Sequence, residues 1–145
     1  MERFHKIGEI VAKSSHEIKF SRLGIGFEKL DRDVFDPEKA YPHLEKIGVK
    51  WARLQSGWLR TEKEKGVYDF SWLDPIVDKI ISLEIEPWLC LCYGNPLYTE
   101  KAKEYFGAVG IAPVDTEEEM QAFPYIETCS MFENPHEERL SYVIL

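Results

Sequence analysis

The chain has 145 residues, enough for one domain with a real core, and is 44% apolar and 30% charged, with a net charge of −8 from 26 acidic and 18 basic side chains. That balance excludes nucleic acid and anionic membrane as partners, because both call for a basic footprint. The cysteines are three, Cys90 and Cys92 within an apolar run and Cys129 apart, which argues against a disulfide framework and for a reducing, cytoplasmic setting.

No apolar stretch approaches the ~20 residues that span a bilayer. The N-terminus, "MERFHKIGEIVAKSSHEIKF", is charged throughout and lacks the apolar centre of a signal peptide. Residues 1–20 therefore read as a lead-in segment, a short helix or strand covering the bottom of the fold that follows. "RLGIGF" (Arg22–Phe27) is a short apolar run broken by glycines and is expected to be the first strand. In "DRDVFDPEKAYPHLEKIG", Asp36 before Pro37 reads as a cap and first-turn proline. Ala40, Leu44 and Ile47 then share one helical face, and Gly48 supplies the stop. Pro42 breaks an interior turn, so the regular helix is expected to begin there. "VKWARLQSGW" (Val49–Trp58) has period-two character and makes the second strand.

The unit then repeats. "RTEKEKGVYDF" is a charge run with a turn glycine, Gly66, and reads as a solvated loop. Ser71 is the expected cap of "SWLDPIVDKIISLEI", where Leu73, Ile76, Ile80 and Leu83 form a helical stripe and Pro75 falls in the first turn. "EPWLCLCY" is apolar at nearly every position, the pattern of a strand buried on both faces. Strand, helix, strand, helix, strand with short connections implies right-handed parallel crossovers and an α/β fold.

The strand ends carry the chemistry. "GIGFEKLDRD" has Gly-x-Gly but no third glycine and no helix opening directly after it, so the dinucleotide fingerprint is incomplete. Instead, the C-terminal ends of the three strands bring Glu28, then Arg53, Gln55 and Trp58, then Tyr93, Asn95 and Tyr98. Polar and aromatic residues gathered there suit the active face of a parallel barrel. Aromatic rings stack on sugar C–H faces while amides and guanidinium groups bond hydroxyls, so these seven residues are expected to bind carbohydrate. Structural readings stand beside that one. Arg53 serves equally as a cation paired with a carboxylate such as Glu28, and Gln55 shares its strand parity. Asn95 before Pro96 suits a turn. Trp58 and Tyr98 lie beyond strand ends and suit stacking, whereas apolar neighbours place Trp51 and Trp88 in the core. Cys90-x-Cys92 has no histidine nearby, so no metal or other cofactor is expected.

"GVKWARLQSGW" followed by "GVYDFSWLDPIVDKIISLEIEPWLCLCYGNPLYT" resembles the first third of a retaining glycoside hydrolase of the (β/α)8 clan A, closest to its β-xylosidase and iduronidase-like members and their β-galactosidase-like relatives. Arg53 matches the arginine that closes the second strand, and Gly66, Tyr68, Asp69, Phe70, Leu73 and Asp74 match the segment leading into the second helix. Pro87 matches the proline that opens the third strand. The resemblance implies a partial TIM barrel of about three βα units over residues 21–123, hydrolysis of O-glycosyl bonds in the intact family, and a divergent tail at 124–145. It also implies an acid/base glutamate in an Asn-Glu-Pro motif ending the fourth strand and a nucleophile ending the seventh. Glu133-Asn134-Pro135 reverses the first motif, which moves the carboxylate to the other side of a strand, and it reads as part of a solvated acidic tail. No catalytic residue is assigned, and the chain alone is expected to be inactive. A non-catalytic sugar-binding or self-associating module is the alternative, because three βα units leave sheet edges open.

Overall fold

The computed structural model describes residues 5–9, 11–90, 93–104 and 106, with the backbone of 143–144. Strand β1 (Gly24–Gly26) leads to a 3-10 turn at Leu30–Arg32 and then to helix α1 (Pro37–Ile47). Asp36 caps α1 with its carboxylate, accepting from the backbone N–H of Glu38 at 3.0 Å. Gly48 ends it in the left-handed region at φ 66°. A Cβ there would lie 2.4 Å from the carbonyl oxygen of Lys13, so a side chain would meet both strain and a clash. Pro42 sits inside α1 and does not start it. Its missing N–H frees the carbonyl of Glu38, and both residues are exposed, so water can satisfy that oxygen. The buried stripe is Tyr41 and Leu44, with Ala40 packed beside them, while Ile47 is 50% exposed. Asp36→Ala is expected to lower stability by about 1 kcal/mol, read as a shift in the urea midpoint at constant m-value.

Strand β2 (Trp51–Gln55) pairs parallel with β1, Gly26 lying opposite Arg53. A short helix α2 (Trp58–Thr61) and a hairpin of β3 (Glu62–Glu64) and β4 (Val67–Tyr68) follow, the hairpin turning at Gly66 with φ 77°. Helix α3 (Asp74–Ser82) begins later than its sequence suggests. Ser71 does not cap it but gives its backbone N–H to the Asp69 carboxylate at 3.0 Å, and Leu73 occupies the cap position. Strand β5 (Glu86–Cys90) pairs parallel with β2, and β6 (Val143–Ile144) pairs parallel with β5. The sheet order is therefore β1-β2-β5-β6.

The core lies between one face of this sheet and α1 and α3. Ala52, Leu54 and Leu89 meet Tyr41, Leu44, Leu73, Ile76, Val77, Ile80 and Leu83 there, closed off by Phe27, Leu30, Val49 and Ile85. Burial alternates along β5, with Pro87 and Leu89 buried and Glu86, Trp88 and Cys90 half-buried. The expected two-sided burial is thus corrected, because among the described residues helices cover one face of the sheet. The opposite, concave face carries Trp51 and Trp88, which line a groove and do not join the core.

The lead-in segment packs at the N-terminal ends of the strands. Ser15, fully buried, donates its hydroxyl to the carbonyl of Leu83 at 2.6 Å, and Lys50 reaches the carbonyl of Ser15 at 3.0 Å. Ser14 and Glu17 close a capping box over the 3-10 turn between them. Among the described residues, no helix is long and apolar enough to cross a membrane. Leu91, Cys92 and the Glu133-Asn134-Pro135 motif lie outside the described residues.

Candidate functional site

Period two on β2 puts Trp51, Arg53 and Gln55 on the concave face and Ala52 and Leu54 against the helices. The register then aligns Gly26, Arg53 and Trp88 across three strands, with Gln55 beside Cys90. Glu28, two residues beyond Gly26, meets Arg53 in an ion pair made by both Nε and Nη2 of the guanidinium. Hydrogen bonding to the Glu28 carboxylate raises the Arg53 pKa further, so the guanidinium stays charged at any physiological pH. The cation and the paired carboxylate that the sequence offered as a structural reading are both present.

A second cluster stands beside this pair. Gln55, buried, donates from Nε2 to the Tyr93 hydroxyl at 2.6 Å and accepts on Oε1 from the backbone N–H of Lys29 at 2.9 Å. Arg32 lies over the Tyr93 ring at 5.2 Å from its centroid. Tyr93 itself holds φ 73°, an uncommon conformation for a side chain of that size, where the chain leaves β5. Glu28, Arg53, Gln55 and Tyr93 thus converge at the C-terminal ends of β1, β2 and β5. Along the concave face next to them runs a groove of about 660 Å³, lined by Phe20, Arg22, Trp51, Trp88 and the glycines of β1. A Cβ on Gly24 would come within 3.0 Å of the Trp51 Cβ, so the missing side chain keeps this floor open.

The remaining three predicted residues fall into a different assembly. Trp58 is 2% exposed and stacks on Tyr98, ring centroids 5.1 Å apart and planes inclined by 29°. Both ring systems converge on Glu62, which is fully buried. Glu62 accepts from Trp58 Nε1 at 2.5 Å, from the Tyr98 hydroxyl at 2.6 Å and from the backbone N–H of Gly66 at 2.7 Å. Asn95, also fully buried, donates to the carbonyls of Glu62 at 2.8 Å and Trp58 at 3.4 Å, and accepts from the backbone N–H of Leu97. These contacts tie the loop after β5 to α2 and the hairpin. Glu62 therefore departs from the solvated loop that its charged neighbours suggested. Lys63, Glu64 and Lys65 are exposed, but the carboxylate beside them is the hub of the brace. The available signal was the spacing of Trp58 and Glu62, four apart, the separation at which helical side chains meet.

Gly57 turns β2 into α2 at φ 58°, and a Cβ there would stand 2.5 Å from the Cβ of Asp31. Asp31 in turn forms an ion pair with Arg32 at 3.6 Å, its side chain nearly buried. Burial pushes the Asp31 carboxyl above its usual range, against the pull of Arg32 and Arg60. The unfolded chain then ionises first as pH rises, so Asp31 lowers stability progressively from its unfolded pKa upward and is harmless below it. The wild type is accordingly expected to lose ground against Asp31→Asn as pH is raised from 4 through the weakly acidic range, measured as the difference in urea midpoints. Among the described residues, no group of three or more histidine, cysteine, aspartate or glutamate side chains is arranged to hold a metal ion.

Fold and site together define a parallel α/β protein that collects charged, amide and aromatic groups where its strands end, beside an open groove. Residues 27–109, more than half of the chain, match the family model of glycoside hydrolase family 42, beta-galactosidase. The chain belongs to that family of glycoside hydrolases. A search of the curated proteins and a search of the solved structures each returned no match.

Proposed function

We propose that residues 21–123 form the first three βα units of a retaining (β/α)8 glycoside hydrolase acting on O-glycosyl bonds, with 1–20 as a lead-in and 124–145 as a divergent tail. In this reading Glu28, Arg53, Gln55 and Tyr93 touch the sugar, and Trp58, Asn95 and Tyr98 hold the wall of the site in place. The observation that carries it is the convergence of the Glu28–Arg53 and Gln55–Tyr93 pairs at the strand ends, in a chain whose family hydrolyses glycosides. The odd cysteine count supports a cytoplasmic setting.

The chain alone binds but does not hydrolyse. Retention calls for two carboxylates about 5 Å apart, one to attack and one to shuttle a proton. Of the carboxylates near these strand ends, Glu28 is held by a guanidinium and Glu62 is enclosed by three donors, so neither is poised for attack. The test is incubation of the purified chain with nitrophenyl β-galactoside, alongside a galactose titration. Binding without release of nitrophenol supports the proposal. Turnover that Glu28→Gln abolishes would overturn the assignment of Glu28 as a binding residue and of the chain as inactive.

A further inference from the structure

The loop after β1 meets the strand ends through Gln55, and its chemistry fixes which way the hydrogens run there. Lys29 donates its backbone N–H to Oε1 of Gln55 at 2.9 Å, and Nη2 of Arg32 points to the same oxygen at 3.5 Å. Both groups can only donate, so the atom they face is the amide oxygen and the amide nitrogen faces the other way. That nitrogen meets the Tyr93 hydroxyl at 2.6 Å. An amide N–H₂ can only donate, so the Tyr93 oxygen accepts, and its own hydrogen is left for a different acceptor. Tyr93 is half-buried at the end of the sheet where the sugar is proposed to bind.

The backbone around this relay is held in uncommon conformations. Of the four non-glycine residues with positive φ among the described residues, three stand here: Lys29 at 69°, Asp33 at 50° and Tyr93 at 73°. Backbone of this kind gathers where a functional group must be kept in one arrangement. Arg60 clamps the turn between Lys29 and Asp33, its Nη1 donating to the Leu30 carbonyl at 2.6 Å and to the Asp33 carboxylate at 2.7 Å. Arg32, paired with Asp31, covers the Tyr93 ring. We infer, resting on the sugar-site reading above, that the Lys29–Arg32 turn is a positioning element. Through Gln55 it fixes Tyr93 as a hydrogen donor to the ligand, and Arg32 steadies the ring. The ligand atom opposite Tyr93 is therefore an acceptor, an oxygen of the sugar.

The side-chain amide signals of Gln55 in nitrogen-edited NMR test the relay without a ligand. In the wild type, the amide hydrogen bonded to Tyr93 is expected to exchange slowly and to lie apart from ordinary glutamine signals. In Tyr93→Phe it is expected to revert. Galactose titration tests the direction. Tyr93→Phe is expected to raise the dissociation constant about two- to tenfold, the range for one neutral hydrogen bond. Gln55→Glu still accepts from Lys29 but offers its second oxygen to Tyr93, which turns the hydroxyl hydrogen inward. Its loss is expected to match that of Tyr93→Phe, and the double variant to lose no more than either, since each removes the same donor. Near-UV circular dichroism matching that of the wild type shows that each variant is folded. An amide signal that Tyr93→Phe leaves unmoved, or losses that add in the double variant, overturns the inference, while galactose binding abolished by Arg53→Ala leaves the sugar site standing. A wild type that does not bind galactose overturns the sugar site and the role of Tyr93 together.

Discussion

Glu62→Ala is expected to cost about 3–5 kcal/mol of stability, the range for removing one partner of a buried charged network. The carboxylate is fully buried and accepts three hydrogen bonds, from Trp58 Nε1, the Tyr98 hydroxyl and the Gly66 N–H. Truncation takes the acceptor from those donors, and each that stays unsatisfied costs about 1–3 kcal/mol. Glu62→Gln keeps the shape and one acceptor but turns an N–H₂ toward a donor, so a smaller loss is expected. Urea unfolding followed by tryptophan fluorescence reads both, since Trp58 lies in the brace itself. A change of less than 1 kcal/mol in the alanine variant would show that the brace does not bear on folding. The backbone carbonyls of Glu62 and Trp58 that hold Asn95 remain in this variant, so the loop after β5 keeps that anchor and loses its bond through the Tyr98 hydroxyl.

Ile80→Ala is expected to cost about 2–5 kcal/mol, the range for a buried aliphatic cut back to a methyl group. Ile80 has no exposed surface and sits on the face of α3 that packs against β2 and β5. Leu54, Leu44 and Leu83 lie with it in one close-packed core, so the space is not expected to fill by simple collapse. Ile47→Ala is the matched control. That side chain is 50% exposed at the end of α1, and its truncation is expected to fall within about 0.5 kcal/mol of wild type. Equal losses at the two positions would contradict the packing described for α1 and α3.

The contrast between those two isoleucines shows what the sequence reveals and what it conceals. The stripe Leu73, Ile76, Ile80 and Leu83 is buried as its spacing predicts, because α3 lies flat on the sheet. On α1, the same kind of spacing named Ile47, yet the helix turns Tyr41 and Leu44 inward, and a proline interior to the helix removed the usual cue to its phase. The three parallel strands were legible from apolar runs bounded by glycine and proline. The openness of the concave face was not, because a run such as "EPWLC" reads the same whether one face or two are covered. Within the site, Arg53 and Gln55 were placed together by strand parity, and Glu28 was named as the partner of Arg53. The role of Trp58, Asn95 and Tyr98 was hidden, since each gains its partners from Glu62 in a hairpin whose other residues are charged and exposed. A lone buried carboxylate in a charge run carries no mark of burial until the chain folds around it.

The most direct test of the sugar-site proposal is a titration of the chain with galactose, followed by the indole N–H signals of its four tryptophans. Trp88 lies beside Arg53 in register on the concave face, whereas Trp58 and Trp72 have their indole N–H groups bonded to Glu62 and Thr61 away from it. We expect saturable shifts at Trp88, none at Trp58 or Trp72, and loss of the response in Arg53→Ala with the fold retained. Shifts that persist unchanged in Arg53→Ala, or no response at any galactose concentration, would contradict a sugar site at these strand ends.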